Sequence, residues 1–223
     1  ELRTQNVFNK IKTARADSPL LKENTEEFNE TLNFTKEEHG AFYPTTTGIL
    51  LAGNNKALKE IPYSEIKYVR YYEDGRYHPY EWKGNLIEVA DACFTQLKSE
   101  IQQKELGFGL FHEFIEDYSE VVLRELLINA IVHRDYSRQQ VIEIRKYPTY
   151  LEIESPGMFP EGVDETNYLR KTNPRNPNII DVFRSIKYAE KAGSGFDKIF
   201  ADLLSKEKIA NTDHYRYKHY FPY

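Results

Sequence analysis

Apolar and polar positions in this chain change their period from segment to segment, and each change predicts an element. The first 40 residues hold few aliphatics and many glutamates, as in "KENTEEFNETLNFTKEEHG", which reads as a linker or peripheral arm with short helices. Thr46 to Leu51 is a short apolar, β-compatible run closed by Gly53-Asn54-Asn55, and so predicts a strand. In "SEIKYVRYYEDG", Ile66, Tyr68 and Arg70 alternate with Lys67, Val69 and Tyr71, a second strand ending at an Asp74-Gly75 turn. The period then becomes helical. Leu86, Val89, Ala90, Cys93, Phe94, Leu97 and Ile101 form one buried stripe of an amphipathic helix over 84–105.

"FIEDYSEVVLRELLINAIVHRD" predicts a helix over 117–134, with Asp117 and Glu120 as a capping box. "QQVIEIRKYPTYLEIESPGMF" predicts a β-hairpin bent at Tyr147-Pro148-Thr149. The loop "SPGMFPEGVDETNYLRKTNPRNPNI" is long for a compact domain, which suggests a lid or binding segment. Two helices around Gly193-Ser194-Gly195 and an alternating tail, "HYRYKHYFPY", complete the chain. The divisions expected are 1–40 as the arm, 41–110 as a lead-in β-β-α segment, and 111–223 as the main domain.

One helix breaks its own pattern. Within "ELLINAIVHRDYS", Glu125, Asn129 and His133 lie four apart and form a single polar line among Leu126, Leu127, Ile128, Ala130, Ile131 and Val132. A helix apolar on nearly every side belongs in a core, where a carboxylate needs a partner. The line therefore calls for something facing it.

Composition narrows what that something is. A net charge of −5 and a pI near 5.8 argue against a grip on nucleic acid by the whole surface. No apolar run reaches the roughly 20 residues of a membrane span, and the N-terminus lacks a signal-peptide pattern. The single cysteine, Cys93, permits no internal disulfide, which suits a cytoplasmic setting, and its place on an apolar stripe makes it core filler. The absence of Met at position 1 suggests a piece of a longer chain.

Side-chain chemistry along the polar line suits a nucleotide. An Asn oxygen is a hard, neutral ligand for Mg²⁺, and a carboxylate one turn away can orient or deprotonate an attacking water. Gly193 and Gly195 at a predicted helix start offer free N–H groups to an anion. Each signal alone is common. His133 reads either as a core histidine bonded to backbone or as a ligand.

In order and spacing, "RELLINAIVHRDYS", "LEIESPGMFPEGV", "PRNPNIIDVF" and "EKAGSGFDKIF" resemble the C-terminal domain of proteins labelled transcriptional regulators or RecG-type DNA helicases. That domain is a divergent GHKL (Bergerat-type) ATPase, the fold of gyrase B, histidine kinases and the heat-shock chaperone ATPase. The resemblance runs from about Tyr43 to the C-terminus. It implies an α+β, two-layer α/β sandwich, with a mixed, mostly antiparallel sheet covered on one face by helices. It also implies ATP and Mg²⁺ as ligands, with Glu125 positioning the hydrolytic water and Asn129 holding the metal. His133 and Asp135 would flank that wall. Ser155 and Gly157 occupy the adenine box, Arg175 and Asn176 lie in a lid loop, and Gly193, Ser194 and Gly195 form the second glycine box. An AlbA/Schlafen-type DNA-binding module usually precedes such a domain, so DNA contact is expected from there.

Ser155 departs from the family pattern, where an Asp meets the adenine amino group. No G-x-x-x-x-G-K-[ST] phosphate loop occurs, so no helicase motor is expected in this chain. Three readings follow. The first is an ATP-binding, weakly hydrolysing regulatory module of a DNA-binding transcriptional regulator. The second is a degenerate scaffold of the same fold for dimerisation or partner binding. The third, direct nucleic-acid binding through "LRKTNPR" and "HYRYKHY", ranks last given the acidic total.

Overall fold

The computed structural model describes residues 2–61, 64–101, 118–148, 150–158, 162 and 173–189, together with the backbone of 103–108 and 111–116. The opening segment is more ordered than its polarity suggested. It forms α1 (Thr4–Ala14), α2 (Thr25–Thr31) and an antiparallel hairpin of β1 (Thr35–Glu38) with β2 (Ala41–Pro44). Its few apolar side chains suffice because Val7, Ile11, Phe28 and Phe34 all enter the core cluster. Asn24 caps α2 in a reciprocal box with Glu27, which offsets the helix's weak propensity.

Thr46–Ala52 is helical, α3, and not the strand that its apolar run suggested. Two local facts decide this. The Thr45 side chain accepts from the Gly48 N–H at 3.0 Å and starts the helix, and Gly48 lets it lie against the preceding chain. A Cβ at Gly48 would sit 2.1 Å from the Phe34 carbonyl oxygen, so only glycine permits that approach.

The central sheet runs in the order β4-β3-β7-β8, from β3 (Ile66–Tyr71), β4 (Tyr77–Trp82), β7 (Ile142–Lys146) and β8 (Leu151–Glu154). β3 pairs antiparallel with β4 and parallel with β7, and β7 pairs antiparallel with β8. The sheet is thus mixed and mostly antiparallel, and the fold is α+β. Strand β4 had no expectation behind it. It is a largely exposed edge containing Pro79, where a missing N–H is tolerated.

Two core helices cover the face that carries Ile66, Tyr68, Ile142 and Ile144. The first, α4 (Leu86–Ser99), is shorter than its pattern, since 103–108 turns into β5 (Gln103–Phe108), paired with β6 (Phe111–Glu116). Cys93 is buried on it, as expected of core filler, and burial pushes its thiol pKa up. The second, α5 (Glu120–His133), starts one turn into its predicted range, with the Ser119 side chain accepting from Val122 N–H, while Asp117 of the expected capping box lies outside the described residues. After β8, α6 (Pro177–Ser185) closes the described chain, with Pro177 in the first turn. Among the described residues no helix is long and apolar enough to cross a membrane.

Candidate functional site

Helix α5 organises the candidate site because burial leaves it only one polar side. Val122, Leu123, Leu126, Leu127, Ile128, Ala130, Ile131 and Val132 are all buried, while Glu125, Asn129 and His133 are half-buried along one line. The Asn129 amide nitrogen donates to Glu125 Oε1 at 3.3 Å, the four-apart contact that helix geometry predicts. This bond uses one of the two amide hydrogens and sets the Asn129 amide beside a carboxylate. Burial, with the charge of Arg175, holds the His133 pKa below its ordinary value.

The other end of α5 is closed off. A helix leaves its last four carbonyls without an internal partner, and here five consecutive carbonyls each meet a side chain. Ser155 Oγ donates to Ala130 O at 2.6 Å, and Tyr136 OH to Ile131 O at 3.0 Å. Asn176 Nδ2 donates to Val132 O at 2.7 Å and Arg134 O at 2.8 Å, and Arg175 Nε to His133 O at 3.2 Å. Arg175 also donates to the Met158 carbonyl, which draws the chain after β8 against the same helix end. Ser155 is buried, so its hydroxyl proton is committed to the helix.

Asp135 and Gly157 extend this closure. The Asp135 N–H donates to Pro156 O at 2.7 Å, and its carboxylate accepts from Ser137 and, at 3.4 Å, from Arg138. The Ser137 hydroxyl bond foremost, then the Ser137 N–H, Arg175 and Arg138, hold the Asp135 pKa below the usual carboxylate range. Gly157 has φ +147°, and a Cβ there would sit 3.4 Å from Asp135 Cβ and N. The glycine therefore serves a close approach between this turn and the end of α5.

The structure gathers Glu125, Asn129, His133, Asp135, Ser155, Gly157, Arg175 and Asn176 on or around α5. Gly193, Ser194 and Gly195 lie outside the described residues, as do the tail and most of the long loop. Two neighbours were not singled out from the sequence. Tyr136 joins the helix cap, and Arg134, 1% exposed, donates to Gln140 O at 2.5 Å and stacks on the Tyr136 ring. The signal for Tyr136 was its place within one turn of a helix end whose carbonyls needed donors.

Glu125 and Asn129 are the pair able to hold a metal with a phosphate. Among the described residues no group of three or more His, Cys, Asp or Glu is placed to hold a metal ion unaided. A carboxylate and an amide oxygen are both hard donors, and Mg²⁺ ordinarily completes its shell with phosphate oxygens and waters. The donor set fits Mg²⁺ carried by a nucleotide.

Residues 139–213 match the family described as "Putative ATP-dependent DNA helicase recG C-terminal". The resemblance read from the sequence is supported over that segment, which is similar to the C-terminal ATPase-like domain of RecG-type proteins and makes up about a third of the chain. Glu125 and Asn129 lie just before it. Among solved structures, the DIP2311 protein from Corynebacterium diphtheriae is similar, with a TM-score of 0.70 and 19% identity. The likeness covers 89% of this chain and 39% of that one, so it shows a shared fold that includes the lead-in segment. No curated protein matches the chain.

Proposed function

We propose that this chain is the ATP-binding, weakly hydrolysing regulatory module of a cytoplasmic, DNA-binding transcriptional regulator. The observation that carries the reading is the Glu125–Asn129 pair, a carboxylate and an amide joined at 3.3 Å on the one polar side of a buried helix. The Asn129 oxygen would ligate Mg²⁺, and Glu125 would orient the attacking water and take its proton. Bound Mg²⁺-ATP would supply the reactive γ-phosphate. The ATPase-like family match supports the nucleotide, while DNA contact is assigned to a preceding module and self-association to a homodimer.

Titration calorimetry with Mg²⁺-ATP tests the reading. Wild type should bind and Asn129→Ala should not, whereas Glu125→Gln should bind ATP and lose turnover. No heat with wild type, or unaltered binding by Asn129→Ala, overturns it.

A second reading, a scaffold of the same fold without nucleotide activity, is favoured by a different observation. Ser155, Arg175 and Asn176 all hydrogen-bond to the end of α5, so three residues expected to meet the nucleotide hold protein instead. Wild-type silence toward ATP together with a dimer in light scattering would select it.

A further inference from the structure

We propose that the β1–β2 hairpin is a docking arm for a second copy of this chain, joined strand to strand along β2 about a two-fold axis at Phe42. This rests on the homodimer reading above and gives that dimer a surface. Every residue of β2 is exposed, as are Lys36, Glu37 and Glu38 of β1. Phe42 and Tyr43 stand 44% and 55% exposed. A free two-stranded hairpin is marginal in water, but this one has a fixed root. Phe34, just before it, is fully buried, and Thr45, just after it, donates its N–H to Phe34 O at 2.9 Å and its hydroxyl to Asn33 O at 2.5 Å.

Hydrogen-bond direction separates the two edges of the arm. His39 and Gly40 both have positive φ, the two-residue turn whose flanking pair, Glu38 and Ala41, is a bonded one. Bonded pairs then alternate through Lys36 with Tyr43 to Phe34 with Thr45, so the N–H and carbonyl groups of Glu37 and Phe42 point away from the hairpin. Along β1, Thr-Lys-Glu-Glu, a second copy would set Glu37 against Glu37, a like-charge clash. β2, Ala-Phe-Tyr-Pro, carries no charge. The edge strand of the central sheet is built differently. Tyr72 N–H donates to Arg76 O, which puts Tyr77, Pro79 and Glu81 at the outward positions of β4, so a missing donor and a carboxylate blunt that edge. β2 keeps its proline, Pro44, at the root and leaves Phe42 open.

Centred on Phe42, the pairing meets both its N–H and its carbonyl. A shift toward the root would set that carbonyl opposite Pro44, which has no N–H, and a shift toward the tip runs into the turn. The register places Phe42 opposite its counterpart and Tyr43 opposite Ala41 of the second copy, an aromatic cross-strand pair at the centre. Lys36 with Glu37 and Glu38 leaves the arm net negative, which disfavours nucleic acid as the occupant. Two four-residue strands bury less than the roughly 1,200 Å² of a stable complex, so the dimer is micromolar or weaker.

Sedimentation velocity on the 223-residue chain across a concentration series tests the arm. A monomer–dimer equilibrium is expected, and Phe42→Lys should weaken it about tenfold or more with unchanged circular dichroism. Mild oxidation should link Phe42→Cys into a disulfide dimer, since a bonded antiparallel pair holds its Cα atoms about 5.5 Å apart. Tyr43→Cys, opposite Ala41, should link far less, and the buried Cys93 does not compete. A dimer that Phe42→Lys leaves intact, or equal linking at positions 42 and 43, overturns the arm and leaves the homodimer standing. A monomer at every concentration overturns both.

Discussion

The two ends of the polar line on α5 look alike in sequence and behave differently in the fold. At its middle, Glu125 and Asn129 bond to each other across one turn of the helix. At its end, five carbonyls from Ala130 to Arg134 are each met by Ser155, Tyr136, Asn176 or Arg175. The middle sets a carboxylate and an amide, both carrying hard oxygen donors, next to each other. The end is suited to holding the helix because its donors point at backbone. Residues that one motif groups together can therefore have separate physical jobs.

This division predicts that changes at the helix end alter stability while changes at the middle alter ligand binding. Asn176→Ala should have the largest effect, roughly 2–3 kcal/mol of stability in urea titration, since two carbonyls lose their donor at once. An unchanged midpoint would mean the cap is not what holds α5. Gly157→Ala should follow at about 1–2 kcal/mol, because its φ of +147° is strained for alanine. Ser155→Ala should lower stability by about 1 kcal/mol by removing one buried bond. If Ser155→Ala abolished ATP binding while leaving stability intact, the two ends would share a function after all.

Acid should separate them further. His133 has a lowered pKa in the fold, so between its ordinary 6.5 and the folded value the unfolded chain binds more protons. Stability from this group is complete above about pH 6.5 and declines as pH falls through the folded pKa. His133→Gln should flatten that part of a thermal-melt pH series. The smallest effect on folding belongs to Asn129→Ala, within about 0.5 kcal/mol for a half-buried side chain whose one partner is also half-buried. A loss of several kcal/mol there would assign the pair to structure.

How much of this was legible depended on range. The hairpin of β7 and β8, the helix expected over 117–134 and found over Glu120–His133, and the burial of Cys93 follow from local periodicity. The Glu125–Asn129 contact was equally readable, since four-apart spacing alone brings those side chains together. The partners of Ser155, Arg175 and Asn176 were not. Those bonds join residues 25 to 44 positions apart, and nothing in the local pattern around Asn176 says which carbonyl it will meet.

By itself the sequence determined the helices α4 and α5 and the central hairpin, the faces they turn to the core, and which polar residues stand on α5. Periodicity is a property of neighbours, and burial acts on it directly. Tertiary structure decided that the Thr45-capped segment Thr46–Ala52 lies as a helix against Phe34, and that Ser155 faces the end of α5. Both outcomes turn on backbone groups brought close by the rest of the fold. A carbonyl takes whichever donor packing delivers to it.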